Sequence, residues 1–250
     1  TVDSTSMVAS YEQGRTLVKK QKLASVMPCV CRKQMEHLDI ICDKPHETCL
    51  TFGIAAEISI DKGYGRKITI AEASGLIDQA EKAGLVLMTT NAQEIVNICC
   101  CCGCCCGMLQ LLKAVERPAD HIHSAFQAKI ESSSCKQCKI CLDRCQIKAI
   151  MNNENIMEVN NDRCIGCGLC VSTCPTEAIS MVAKDYTEPV PRNYVDMLTS
   201  IANKRGFGYG KLNTIMKVFN LNLAIKMLPF FYLSGLGKPV VNQMSRWGWV

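Results

Sequence analysis

The sequence predicts an α+β chain in three parts: a helical, cysteine-rich region over residues 1–130, a compact domain over 131–186, and a helical tail over 187–250. Three observations lead to this reading. CKQCKICLDRCQIKAI (135–150) and CIGCGLCVSTCPTEAI (164–179) align without a gap, 29 positions apart, and mark the middle domain as an internal repeat. Ahead of it, apolar residues recur at helical spacing between two cysteine sets. Behind it, the prolines of TEPVPR (187–192) read as a linker to two helical stretches, 192–204 and 212–227.

Each copy of the repeat has the spacing C-x2-C-x2-C-x3-C followed by Ala-Ile. That run is typical of bacterial-type ferredoxins with two [4Fe-4S] clusters, in which the fourth cysteine of each run serves the other cluster. Applied here, Cys135, Cys138, Cys141 and Cys174 hold one cluster, and Cys164, Cys167, Cys170 and Cys145 hold the second. Two zinc knuckles are the alternative, but zinc sites usually place a longer insert between their CxxC pairs and have no use for the C-x3-C tail. ENIMEVN (154–160) reads as the strand and turn joining the halves. The copies differ after the fourth cysteine, where Gln146 has a backbone N–H that Pro175 lacks; a hydrogen bond from it to cluster sulfur would make the two potentials unequal.

Eleven of the nineteen cysteines lie outside the repeat. In NICCCCGCCCG (97–107) neighbouring cysteines are poorly placed for disulfides, which need converging Cβ vectors. The chain starts with a polar stretch lacking an apolar leader, which suggests a reducing interior where dense cysteine means metal; because Thr1 is not methionine, a missing N-terminal segment stays open. Cys29, Cys31, Cys42 and Cys49 supply enough thiolates for one more cluster or a zinc ion, with four isolated structural cysteines as the plain alternative. Asp43-Lys44-Pro45 provides a turn between Cys42 and Cys49. The stretch 107–118 is a helix candidate stopped by Pro118, and the seven cysteines are expected on the loop entering it, where free N–H groups favour thiolates. Side chains of adjacent cysteines diverge, so some of Cys99, Cys101, Cys102, Cys104, Cys105 and Cys106 are expected to reach a different cluster, such as one begun by Cys29 and Cys31. One or two further iron–sulfur clusters fit the count; a buried, purely hydrophobic role is the competing reading.

The segment between the cysteine sets reads as scaffold. Thr69 and Glu72 form a capping box, a helix over 70–83 buries Leu76, Ile77 and Ala80, and Gly84 closes it before the strand LVLMT. His37, His46, His121 and His123 are read as ordinary histidines. The net charge of +5 counts neutral thiols. Three clusters at about −2 each would take it to about −1, so the basic balance is no nucleic-acid footprint. The most apolar stretch, 218–237, contains Lys226 and Pro229 and is too short of uncharged apolar residues to span a membrane. Phe230, Phe231, Tyr232, Trp247 and Trp249 read either as packing over the chain's own core or as docking onto a partner subunit or a membrane surface.

PCVCR (28–32), CDKPHETCLTFG (42–53), NICCCCGCCCG, the two-cluster repeat and LPFFYLSGLGKP (228–239), in this order, resemble a family of anaerobe proteins described as 4Fe-4S binding proteins. Its members usually read C-N-C-C-G-C-C-C, so Cys100 stands where the family has Asn and is left out of the candidate ligands. Longer members carry a helical section before the first cysteine set that this chain lacks. The resemblance implies electron transfer with redox enzymes of anaerobic metabolism. The reducing interior read from the thiols, together with the apolar tail, gives the expectation of a protein in the cytoplasm, or peripheral to the membrane on its cytoplasmic side. No nucleophile–base pair or Gly-rich nucleotide loop stands beside the cysteines. The leading expectation is therefore an electron-transfer protein or subunit of a redox complex, with no stand-alone catalytic residues assigned. The alternatives are an enzyme or activating factor with a catalytic cluster at Cys99–Cys106 fed by the repeat, and a redox sensor.

Overall fold

In the computed structural model, residues 6–154, 156–185 and 189–204 are described. The N-terminal region departs from the helical expectation, because its centre is a six-stranded sheet. In chain order the elements are β1 (Ser6–Ala9), α1 (Tyr11–Lys19), β2 (Ala24–Pro28), α2 (Val30–Glu36), β3 (Glu47–Phe52), α3 (Ile54–Asp61), β4 (Arg66–Ile68), α4 (Ile70–Ala83), β5 (Val86–Thr90), β6 (Asn97–Cys101) and α5 (Gly107–Ala114). The strands run antiparallel in the order β1-β5-β6-β3-β2-β4. Of these strands the sequence marked only β5, as LVLMT. The others escaped detection for a physical reason: in β6, for example, cysteines occupy buried and half-buried positions alike, so the alternation of apolar and polar residues that marks a half-exposed strand is missing.

Local chemistry explains the helices. Ser10 and Gln13 exchange hydrogen bonds at the start of α1, a complete capping box. Thr69 accepts from the Glu72 N–H at the start of α4, while the Glu72 carboxylate turns to Arg66 instead of closing its box. Gly84 ends α4 in the left-handed region at φ 76°. Helices α1 and α4 pack together, and α4 also packs on β2 and β3. The sheet face they help to cover carries Val26, Leu50, Ile98 and Leu87, all with no exposed surface.

The repeat forms β7 (Phe126–Ile130), α6 (Ile140–Arg144), the hairpin β8 (Ile150–Asn153) with β9 (Ile156–Val159), and β10 (Ile179–Ala183). β7 pairs antiparallel with β10, so the chain of this domain begins at 126, a few residues before 131. The two copies share backbone geometry at three equivalent offsets. Gln137 and Gly166, Lys139 and Gly168, Lys148 and Glu177 all have positive φ, between 52° and 78°. At four of these six positions a residue with a side chain adopts the left-handed conformation, at a cost of about 1–2 kcal/mol each. The wrap of the cysteine loops over what they bind fixes the conformation.

Both regions belong to one compact unit that ends at Leu198. Beyond the linker lies α7 (Tyr194–Lys204). The helix expected over 212–227 and the aromatic tail fall outside the described residues. Among those described, no helix is long and apolar enough to cross a membrane.

Two glycines separate backbone constraint from mere smallness. A Cβ on Gly166, at φ +67°, would sit 2.1 Å from the Phe126 carbonyl oxygen, whereas one on Gly75, exposed within α4, would meet nothing within 4 Å. Gly166→Ala is expected to destabilise by about 2 kcal/mol or more, and Gly75→Ala to stabilise by about 0.5–1 kcal/mol. Thermal unfolding of the anaerobically prepared variants checks both signs.

Candidate metal centres

Within the repeat, Cys135, Cys138, Cys141 and Cys174 line one pocket walled by Ile130, Met157 and Ile179. Burial pushes the Cys141 thiol up, and the nearby sulfurs of Cys138, Cys135 and Cys174 add to the effect. Burial likewise raises Cys170, to about 12, and the sulfurs of Cys164 and Cys145 add to the effect. Each group of three thus lies with the fourth cysteine of the other copy. Backbone donors point at the sulfurs: Ala149 N–H lies 3.1 Å from Cys145 Sγ, Ala128 N–H 3.5 Å from Cys164 Sγ, and Gln137 N–H 3.4 Å from Cys135 Sγ. Four convergent thiols with N–H donors aimed at them fit the needs of a thiolate-bound cluster.

The N-terminal cysteines divide in a way that sequence spacing does not suggest. Cys42 leaves the 29/31/42/49 set and joins Cys102, Cys104 and Cys105, whose four sulfurs all lie within 4.8 Å of one another. Cys42 Sγ is 3.9 Å from Cys102 Sγ and 3.5 Å from Cys104 Sγ, and Cys104 and Cys105 are 3.6 Å apart. Four sulfurs at tetrahedral corners about 2.3 Å from one ion would be about 3.8 Å apart. This knot therefore has the dimensions of a single tetrathiolate ion, zinc or iron.

The cysteines of the CCCC run do not all lie on a loop, as expected, because β6 extends through Cys101. Strand alternation sends Cys99 and Cys101 to one face of the sheet and Cys100 to the other. Cys100 pairs with Leu87 and faces Tyr11 of α1, within the hydrophobic layer. On the opposite face Cys49 is the cross-strand partner of Cys99, with Met27 beside Cys49 and Met88 beside Cys99. Cys29, Cys31, Cys49, Cys99, Cys101 and Cys106 together line a cavity of about 410 Å³, which Cys100 and Cys102 also border. The Cys49 thiol holds Cys99 below the usual thiol range. The Cys101 thiol lowers Cys106 to about 6 against its burial, helped by the Leu109 and Met108 N–H groups at the start of α5.

Spacing arguments missed Arg32. Its side chain is fully buried, with Nη1 donating to the Pro45 carbonyl at 2.8 Å and to Thr48 Oγ1 at 2.5 Å, and Nη2 to the Cys100 carbonyl at 3.2 Å. Its Nε has no partner. Burial disfavours its charge, and the surrounding sulfurs, first Cys102 and Cys29 and then Cys42, more than compensate. Sulfurs compensate a buried guanidinium only as thiolates, the form that metal-bound cysteines would take. The one signal in the sequence was an arginine immediately after Cys-Val-Cys.

Comparison with known proteins bears on the repeat. Residues 128–181 match the family described as "4Fe-4S dicluster domain". This segment is a ferredoxin-type dicluster domain. It is similar to a ferredoxin of Rickettsia felis, 34% identical over 65 residues, which is 25% of this chain and 60% of the relative. It also resembles Ferredoxin-1 of Caulobacter vibrioides, 34% identical over 24% of the chain and 54% of the relative, and the pyruvate synthase subunit PorD of Thermotoga maritima, 40% identical over 21% and 54%. The chain thus spans little more than half the length of these relatives.

Side-chain hydrogen bonds tie the dicluster domain to the N-terminal region, and Gln146, Arg163 and Arg144, which make some of them, each flank a cluster cysteine. Gln146, next to Cys145, accepts from the Gly103 N–H at 2.8 Å and donates to the Gly84 carbonyl at 3.1 Å. Arg163, next to Cys164, donates to the Val115 carbonyl at 3.0 Å and the Lys113 carbonyl at 3.3 Å. Arg144 caps the last carbonyls of α4, at Lys82 and Glu81. Cys145, assigned to the second cluster, therefore sits beside the loop that carries Cys102–Cys106.

Arg32→Met keeps most of the buried volume and removes the charge. Metal affinity of the Cys42 site is expected to fall about 10–100-fold, by analogy with other outer-shell partners. Competition with a chromogenic chelator measures this, and the electron paramagnetic resonance of the dicluster domain should not change.

Proposed function

We propose that this protein is an iron–sulfur electron-transfer protein or subunit, which relays single electrons through the dicluster domain between a partner oxidoreductase and a metal centre in the N-terminal region. The observation that carries the reading is the contact of Gln146 with Gly103, which puts a cysteine of the second cluster set beside the loop of the N-terminal thiols. Two [4Fe-4S] clusters supply one-electron chemistry when bound. The chain's own residues set the terms. Ala149 and Ala128 N–H groups donate to ligand sulfurs and raise the potential, while Cys164 and Cys170 are buried away from water. Cys138 is exposed, flanked by Lys136 and Lys139, so electrons enter or leave at this edge and an acidic partner surface fits it.

Relatives named as ferredoxins and as a subunit of pyruvate synthase support an oxidoreductase partner, and the 2-oxoacid oxidoreductases are the first class to try. The reading places the protein in a reducing compartment, the cytoplasm, where dense thiols persist. A second reading, a redox enzyme or activating factor with its chemistry at Cys99–Cys106, is favoured by the 410 Å³ cavity there. It predicts a cluster spectrum that changes when carbon monoxide or cyanide is added, which a pure relay would not show.

A 2-oxoacid oxidoreductase turning over anaerobically should bleach the cluster absorbance of this protein. Lys136→Glu with Lys139→Glu should slow the bleaching several-fold at low salt and less at high salt. Reduction by dithionite without transfer to or from such enzymes would overturn the partner assignment.

A further inference from the structure

We propose that the cavity lined by Cys29, Cys31, Cys49, Cys99, Cys101 and Cys106 is a separate site for a polynuclear iron–sulfur cluster, distinct both from the Cys42 tetrathiol knot and from the dicluster domain. The inference rests on reading the N-terminal cysteines as metal ligands, and it fixes their partition: four in the knot, six around the cavity, and Cys100 in neither.

The secondary structure builds the cavity. Its floor is one face of the sheet, where Met27, Cys49, Cys99 and Met88 form a continuous cross-strand row over β2, β3, β6 and β5. Cys101 follows two residues after Cys99 on the same face. Cys29 and Cys31 come from the junction of β2 with α2, and Cys106 from the residue that precedes α5. The sulfurs adjoin one another in two groups of three. Cys29 neighbours Cys49, which neighbours Cys99; Cys31 neighbours Cys106, which neighbours Cys101. The groups also sense each other, Cys31 with Cys29 and Cys99 with Cys106.

Size and donor chemistry decide what fits. In the knot the sulfurs lie within 4.8 Å of one another and have room for one ion, while here six thiols outside the knot line about 410 Å³, which Cys102 of the knot and Cys100 also border. A single tetrahedral ion would use four of the six and leave the cavity largely empty. The cavity wall contains no carboxylate or histidine; beside the thiols it carries the thioethers of Met27, Met88 and Met108 and the neutral polar side chains of Ser6, Thr51, Thr89 and Asn97. A donor set dominated by thiols, with no anionic oxygen, selects iron–sulfur clusters, zinc or copper(I) over hard cations. Of these, only a polynuclear cluster, filled out with inorganic sulfide, occupies the volume and engages both groups of thiols. Each thiol loses its proton on binding. The resulting negative charge faces Arg32, whose charge is favoured by Cys29, and the N-terminus of α5 at Cys106.

Iron, zinc, copper and acid-labile sulfide per chain, measured on anaerobically purified full-length protein, test the proposal. The dicluster domain accounts for about eight sulfides, so the wild type should carry more than that. Cys49→Ser with Cys99→Ser should lose the excess sulfide with its iron and retain the ion of the knot. Cys42→Ala with Cys104→Ala should lose one metal ion and no sulfide. Cys31→Ser, a milder change at a half-buried thiol, should shift the spectrum of the same cluster if the double variant fails to fold. A wild-type sulfide content of about eight, or excess sulfide that survives in the Cys49/Cys99 variant, or its loss in the Cys42/Cys104 variant, would overturn the assignment. The electron-transfer reading fails separately, through loss of reversible reduction of the dicluster domain.

Discussion

A β-strand presents only alternate residues to each face, and this constraint organises the N-terminal half of the molecule. β6 runs through Cys99, Cys100 and Cys101, so three successive cysteines are divided between two environments. Cys99 and Cys101 meet the sulfur-lined cavity, while Cys100 meets the hydrophobic layer that includes Leu87 and Tyr11. The chain then leaves the sheet at Cys102 and turns through Gly103, which brings Cys102, Cys104 and Cys105 to Cys42 and returns Cys106 to the cavity at the start of α5. A run of seven cysteines in eight residues thus serves three destinations, and no single cluster has to accommodate it.

Charge is the second constraint. Thiolates in an apolar interior need compensation, and the N-terminal region offers no buried lysine for this, only Arg32 and helix N-termini. Arg32 is anchored by the Pro45 and Cys100 carbonyls and by Thr48, so its plane is set by neutral acceptors and its charge is left for the sulfurs. The same carbonyl contact to Cys100 explains how a residue with no ligand role still belongs to the site. Its backbone holds the guanidinium, and its side chain fills the opposite layer.

The dicluster domain was legible in the sequence because everything that defines it is local. Four cysteines within eleven residues wrap one loop, and the second loop repeats the first at a fixed offset. Helix α4 was legible for the same reason, through Thr69, its apolar face and Gly84. The N-terminal sites were not. Cys42 meets Cys102 across 60 positions of chain, and Cys49 meets Cys99 only through the register of β3 on β6. Register is set by which residues are buried, and in β6 cysteines occupy the buried and the half-buried positions alike, so residue type gives no period to read. Proximity in sequence grouped Cys29, Cys31, Cys42 and Cys49, but in the fold Cys42 joins Cys102, Cys104 and Cys105 while the other three line the cavity.

The asymmetry of the repeat follows from what each copy faces. The two copies keep the same left-handed backbone positions, since both must wrap a loop of the same shape. They differ at positions 144 and 146, where the first copy has Arg and Gln and the second has Thr173 and Pro175. Arg144 and Gln146 are the residues that reach the end of α4 and the Gly103 turn. Proline at 146 would remove both the side-chain acceptor for the Gly103 N–H and the donor to Gly84, leaving polar backbone unsatisfied at a packed junction. The departure from symmetry therefore belongs to docking before it belongs to redox tuning. After its fourth cysteine the first copy meets the Gly103 turn and carries a hydrogen-bonding side chain, and the second copy has proline at the same offset.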